Sequence, residues 1–226
     1  MIVSFFQSSI ISGLTSVLAY LITIFFARSV DEIIFSNYVY AILWSLILNQ
    51  IIDFSGIKSF SDFSIRNNIK FDFLFTTIYV GKLILVIILF SLIFVLNKYG
   101  LLKIPIESFF FIVPSLYLAS VFELRNKNII YALILLVEKI LFLTFSYFYI
   151  KNIGFNIIIY ISFFIISIAS LSIQFSILGI GFPKLSNFKF DVLKKYFKSY
   201  WKLFLTLIVQ SAYGHYSRII IEAKMG

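Results

Sequence analysis

The sequence predicts an all-α polytopic membrane protein, a helical bundle of about six or seven transmembrane helices. Three observations lead there. Of the 226 residues, 61% are hydrophobic and only 13% are charged, whereas a soluble domain carries roughly 25% charged residues. A core of this size cannot hide that much apolar surface from water, and the mean hydropathy of +1.03 agrees. The apolar residues also come in runs of about 20, the length a helix needs to cross a hydrocarbon core about 30 Å thick.

Taken in order, the first run spans 6–27, and no lysine or arginine precedes Arg28. A cleavable signal peptide would carry a basic start and a small-residue cleavage site, so this run is expected to be a retained helix. "RSVDE" separates it from the second run, 33–52. A longer polar connection at 53–72, "DFSGIKSFSDFSIRNNIKFD", leads to the third, 73–97. "KYGLLKIP" precedes the fourth, 106–122, where Pro114 lacks a backbone N–H and predicts a kink. "ELRNK" and "KNIG" introduce the fifth, 129–150, and the sixth, 154–182, which is long enough to tilt.

Residues 1–182 thus read as a six-helix transmembrane bundle. Residues 183–202 read as a cytoplasmic amphipathic connector lying at the interface and touching membrane lipids. Asp191, Lys194, Lys195, Lys198 and Lys202 share one helical face, and Phe190, Leu193, Phe197, Trp201 and Phe204 the other. Residues 203–226 hold a seventh run, 203–223, readable as the start of a second lobe.

Orientation follows from lysine and arginine. With the N-terminus cytoplasmic, eleven of them fall in inside connections (Lys58, Arg66, Lys70, Arg125, Lys127, Lys184, Lys189, Lys194, Lys195, Lys198, Lys202). Four fall outside: Arg28, Lys98, Lys103 and Lys151. The same placement reads the net charge of +9 as a topology signal and attraction to anionic lipid, not as a nucleic-acid groove.

Catalytic chemistry finds no foothold. The chain has no cysteine and one histidine, His215, which leaves no thiolate nucleophile and no cysteine- or histidine-rich metal site. No phosphate-binding loop, GxSxG elbow or HExxH pair occurs. Asp53, Asp62 and Asp72 are too widely spaced for a metal cluster. Neither an enzyme nor a cofactor is expected.

The charges inside the runs carry the functional signal. They are Lys82, the adjacent Glu138 and Lys139, and Arg218. Each costs about 2.5–3.5 kcal/mol at a helix centre, so such residues face a bundle interior or a wet cavity. Helix neighbours point about 100° apart, so Glu138 and Lys139 are not expected to neutralise each other. Lys82 and Glu138 each stand about 14 Å into spans running the same way, counting 1.5 Å per residue. A Lys82–Glu138 pair is therefore possible, either as a packing device or as part of a substrate or ion path, with Lys139 left to a ligand or to water. Arg218 precedes Glu222 by one turn, and His215 lies between Tyr213 and Tyr216 as a packing residue.

Four stretches resemble a known family. "SIISGLTSVLAYLITIFFARSVDEIIFSNYVYAI" is similar to its first two spans, and "IIDFSGIKSF" to the turn after the second. "LKKYFKSYWKLFLTLIVQSAYGHYSRIIIEAKMG" resembles its entry into the seventh span, and "LLVEKILF" falls where its fifth often carries charge. The family is the bacterial polysaccharide flippases, lipid-linked O-antigen repeat-unit exporters of the MATE-like superfamily, and the chain resembles their N-terminal lobe. Ser55, Asp62 and Ser217 depart from the family's usual glycine, arginine and aspartate. The resemblance implies transport of an undecaprenyl-pyrophosphate-linked oligosaccharide across the bacterial cytoplasmic membrane by alternating access. It implies Lys82, Lys139 and Arg218 as cavity cations for the pyrophosphate and Glu138 as an ion-coupling acid or counter-charge. Family members have a second lobe, so a truncated or split form is expected, with a missing C-terminal half or the polysaccharide polymerase machinery as a partner. Two other readings stay open: another MATE-like small-molecule exporter, or a non-transporting membrane partner of polysaccharide assembly enzymes.

Overall fold

The computed structural model describes the backbone of residues 2–54, 56–67, 69–101 and 103–225. It describes their side chains apart from 2–6, 8, 56–59, 61, 64 and 211–225. All regular structure among the described residues is helical. Eight α-helices follow in order: α1 Ile2–Ser29, α2 Glu32–Asp53, α3 Gly56–Asn67, α4 Phe71–Lys98, α5 Ala119–Leu124, α6 Asn128–Ile153, α7 Ile157–Leu178 and α8 Phe190–Met225. Among the described residues, six segments are long and apolar enough to cross a membrane, and they coincide with the six predicted runs to within a few residues. The chain is a multi-pass helical membrane protein.

Three local features differ from the sequence expectation. The connection at 53–72 contains α3, whose buried Phe60 and Phe63 stand three residues apart on one face. From Phe190 the connector continues without a break into the seventh run as one helix of 36 residues, α8. The fourth run is not a kinked helix. It consists of two 3-10 turns, Ile106–Phe111 and Val113–Leu116, followed by the short α5. Pro105 precedes the first turn and Pro114 lies inside the second, each without an N–H to sustain an α-helical ladder.

The chain forms two compact units, residues 1–39 with 117–180 and residues 40–116 with 181–226. In the first, α1 packs along α6, and α6 along α7. Its centre is aromatic. Fully buried Phe26 meets Tyr38 at 4.5 Å between centroids, Phe155 at 5.6 Å and Phe142 at 6.1 Å, and Phe142 stacks edge-on against Phe163 at 5.1 Å. Asn156 caps α7, its side chain accepting from the Ile158 N–H at 2.9 Å. Gly179 ends α7 at φ +60, a left-handed conformation that suits glycine. The Arg125 guanidinium donates to the Leu178 carbonyl and the Lys127 ammonium to that of Ile177, placing cations at the negative end of the helix dipole.

The second unit is built on α2 from Tyr40, with α3, α4 and α8. Leu48, Ile52, Ile93, Ile104 and Ile112 form its apolar core. At α2's end the chain turns at Phe54, with φ +44. The Phe54 ring stacks on Phe197 at 3.7 Å and meets Phe204 at 4.4 Å, so α8 runs past the end of α2. α8 crosses α4 where Gly81 leaves room: a Cβ there would come within 2.9 Å of Leu193 Cδ1.

α3 docks on α8 through Phe63 against Tyr196, at 5.2 Å, and through Asp62. The Tyr200 hydroxyl donates to Asp62 Oδ2 at 2.6 Å, and Arg66 Nε to Oδ1 at 2.6 Å. The Tyr200 hydrogen bond, with a smaller contribution from Arg66, holds the Asp62 carboxyl below its ordinary range. A depressed carboxylate stabilises the fold above its unfolded value of about 3.9 and ceases to do so as pH falls through the lower folded value. The α3–α8 contact is therefore expected to be constant from neutral pH down to about 4 and to loosen below it. Trp201 emission, followed against pH, should shift in that window in the native chain and not in Asp62→Asn.

Candidate functional site

Non-helical backbone at membrane depth is tolerated only where protein covers it and partners satisfy its polar groups. The broken fourth run obtains those partners from polar side chains on neighbouring helices. In the second unit, Asn49 Nδ2 on α2 donates to the Phe111 carbonyl at 3.0 Å. Lys82 Nζ on α4 donates to the Ser115 carbonyl at 2.9 Å. In the first unit, the Leu118 N–H donates to Oε1 of fully buried Gln174 on α7 at 2.8 Å. Each of these side chains meets a backbone group that the missing helical ladder leaves over.

Lys82 also forms an ion pair, Nζ to Asp53 Oδ1 at 2.5 Å. The lysine side chain is only 11% exposed and the aspartate 42%. Asp53 is the last residue of α2, so Lys82 lies at the level where α2 ends and the polar connection begins. α4 starts eleven residues earlier, at Phe71, and its first turns extend past that level. Counting residues from the start of the span therefore overestimates how deep Lys82 sits. Lys82 and Glu138 belong to different units, and each has partners within its own.

Glu138, 1% exposed, sits at the centre of the first unit's polar cluster. The Tyr117 hydroxyl donates to its Oε2. Ser167 Oγ on α7 and the ammonium of Lys139 each donate to Oε1 at 3.4 Å. This corrects the expectation that Glu138 and Lys139 do not neutralise each other. Their Cβ atoms diverge, but the four-carbon lysine stem is long enough to return its ammonium to the neighbouring carboxylate. Lys139 Nζ also lies 4.8 Å from the centre of the Phe163 ring, an ammonium–aromatic contact. Its two contacts are both loose, whereas Lys82 is held closely on two sides. The side chains of Arg218, Glu222 and His215 lie outside the described residues.

Sequence reasoning missed Asn49, Tyr117, Ser167 and Gln174, and it placed Asp53 in a loop. For Asn49 and Gln174 the available signal was an amide within an apolar run, since an unpaired amide in hydrocarbon is costly and so points to a partner. No group of metal-binding side chains occurs among the described residues.

Fold and polar clusters together define a class: a polytopic helical membrane protein with buried, hydrogen-bonded charges in each of its two units. Comparison of the chain with family models, with curated proteins and with solved structures returned no match.

Proposed function

We propose that this chain is a flippase-type transporter of the bacterial cytoplasmic membrane, with its N-terminus inside. Its substrate would be an anionic, lipid-linked oligosaccharide carried on undecaprenyl pyrophosphate. The motif resemblance supports the substrate class, and the excess of lysine and arginine on one side supports the orientation.

The observation that carries the reading is the Glu138–Lys139 centre. A pyrophosphate leaving water needs cations and hydrogen-bond donors. Lys139 offers an ammonium held only by a 3.4 Å contact and an aromatic face, so an incoming phosphate oxygen competes with weak partners. When it draws the ammonium away, Glu138 keeps only the neutral donors Tyr117 and Ser167. Substrate binding and the charge on that carboxylate would be linked in this way, which is the elementary requirement for ion-coupled alternating access. Lys82 fits a packing role better, because Asp53 and the Ser115 carbonyl already engage it.

The test is Lys139→Gln, with the amount of protein in the membrane measured alongside surface polysaccharide. Loss of a charge-assisted contact worth about 1.5–3 kcal/mol predicts a fall of about tenfold or more in export at unchanged protein level. Lys139→Arg, which retains the charge, should keep part of it. Full export from Lys139→Gln would leave the non-transporting membrane partner as the better reading.

A further inference from the structure

The second unit contains a cavity of about 370 Å³ between α4, α8 and the end of α2, within the ~300–1,000 Å³ range of ligand pockets. Its walls are almost wholly apolar, with two lysines, Lys82 and Lys194, among them. We propose that this cavity binds one anionic phospholipid of the bilayer, its phosphate on Lys194 and one acyl chain along α4.

The arrangement of the lining residues supports this. Lys82 marks the level at which α2 ends, and Leu193, next to Lys194, crosses α4 at Gly81, one residue from Lys82. Both lysines therefore stand at one level, that of the polar connection. Beyond it along α4 the cavity wall continues as Ile84, Leu85 and Ile88, and Ile84 and Ile88 are 41% and 53% exposed. The cavity thus opens sideways along an apolar path that starts beneath a cationic rim.

Charge selects the occupant. Lys82 is already engaged by Asp53 and Ser115. Lys194 is exposed and carries no ion pair among the described residues. Ile52 and Phe54 line the cavity on either side of Asp53, while Asp53 is not among the lining residues and its carboxylate is engaged by Lys82. A zwitterionic lipid would fit the apolar path equally well but gains less at Lys194. The site requires only that the chain lies in a bilayer, and it is independent of what the chain transports.

Native mass spectrometry of the purified full chain tests this, counting lipids retained from phosphatidylglycerol and from phosphatidylcholine with identical acyl chains. The native chain should retain one phosphatidylglycerol about fivefold more than phosphatidylcholine, the factor one interfacial lysine supplies. Lys194→Gln should bring that preference to parity. Lys198→Gln, one turn further along and outside the cavity, should preserve it. Ile88→Trp, which obstructs the acyl path, should lower retention of both lipids. All three side chains replaced are exposed, so helix content measured by circular dichroism should not change. Equal retention of the two lipids by the native chain overturns the proposal. So does an equal effect of Lys194→Gln and Lys198→Gln, which would mean diffuse attraction without a site. A polyprenyl phosphate that displaces phosphatidylglycerol from the cavity overturns the assigned occupant.

Discussion

Glu138→Ala is expected to destabilise the purified chain by about 2–4 kcal/mol, and Glu138→Gln by about 1 kcal/mol. The difference comes from what each replacement leaves behind. Alanine removes the acceptor of Ser167 Oγ and the closer acceptor of the Tyr117 hydroxyl, which keeps only a 3.4 Å contact to the Ser167 carbonyl, all of them buried, and an unsatisfied buried polar group costs about 1–3 kcal/mol. It also leaves Lys139 without its carboxylate. The full penalty of a broken buried pair does not apply, because the Lys139 side chain is 22% exposed and the contact is loose. Glutamine retains a carbonyl oxygen at the Tyr117 position; it loses the charge and puts an NH2 donor in place of Oε1, where the Ser167 hydroxyl can turn to accept. Tyr117→Phe should resemble the alanine variant in direction, since it deprives the carboxylate of its closest donor. Thermal unfolding in detergent, read by near-UV circular dichroism, ranks the three. Equal midpoints for Glu138→Ala and the native chain would mean that the carboxylate is not wired as described.

The membrane-crossing runs were legible because a bilayer imposes a length and an apolarity that few residues can evade. The basic connections were legible for a similar reason, since lysine and arginine avoid hydrocarbon. Partner choice was not legible. Asp53 looked like one acid among several in a polar connection; its role depends on how α2 and α4 are rotated and offset, which no periodicity in a uniformly apolar helix records. Pro114 announced an interruption, but whether it kinks the run or dissolves it into 3-10 turns depends on hydrogen-bonding partners elsewhere. Those partners are Asn49 and Lys82, which donate, and Gln174, which accepts, each a polar residue within an apolar run. Helix α3 had a local signature that the mixed composition of 53–72 concealed: apolar Phe60 and Phe63 on one face, and Asp62 four residues before Arg66.

Asp53 and Lys82 should respond unequally to removal. Asp53→Ala leaves an 11%-exposed ammonium with the Ser115 carbonyl alone. The expected cost is about 2–3 kcal/mol, below the ~3–5 kcal/mol for a fully buried pair because α2 ends at the polar rim. Lys82→Met leaves a carboxylate that is 42% exposed and can turn to water, so the loss is about 1 kcal/mol, mainly the donor to Ser115. The double variant should match Lys82→Met, a coupling that thermal unfolding resolves as a double-mutant cycle. Exchanging the two charges provides the sharper test. Were this an ion pair alone, Asp53→Lys with Lys82→Asp would restore stability. Here position 82 also faces the Ser115 carbonyl, and a carboxylate there would oppose an acceptor with an acceptor. The exchange is therefore expected to remain at least as unstable as Asp53→Ala, and recovery to the native midpoint would show that the broken fourth run does not depend on the lysine.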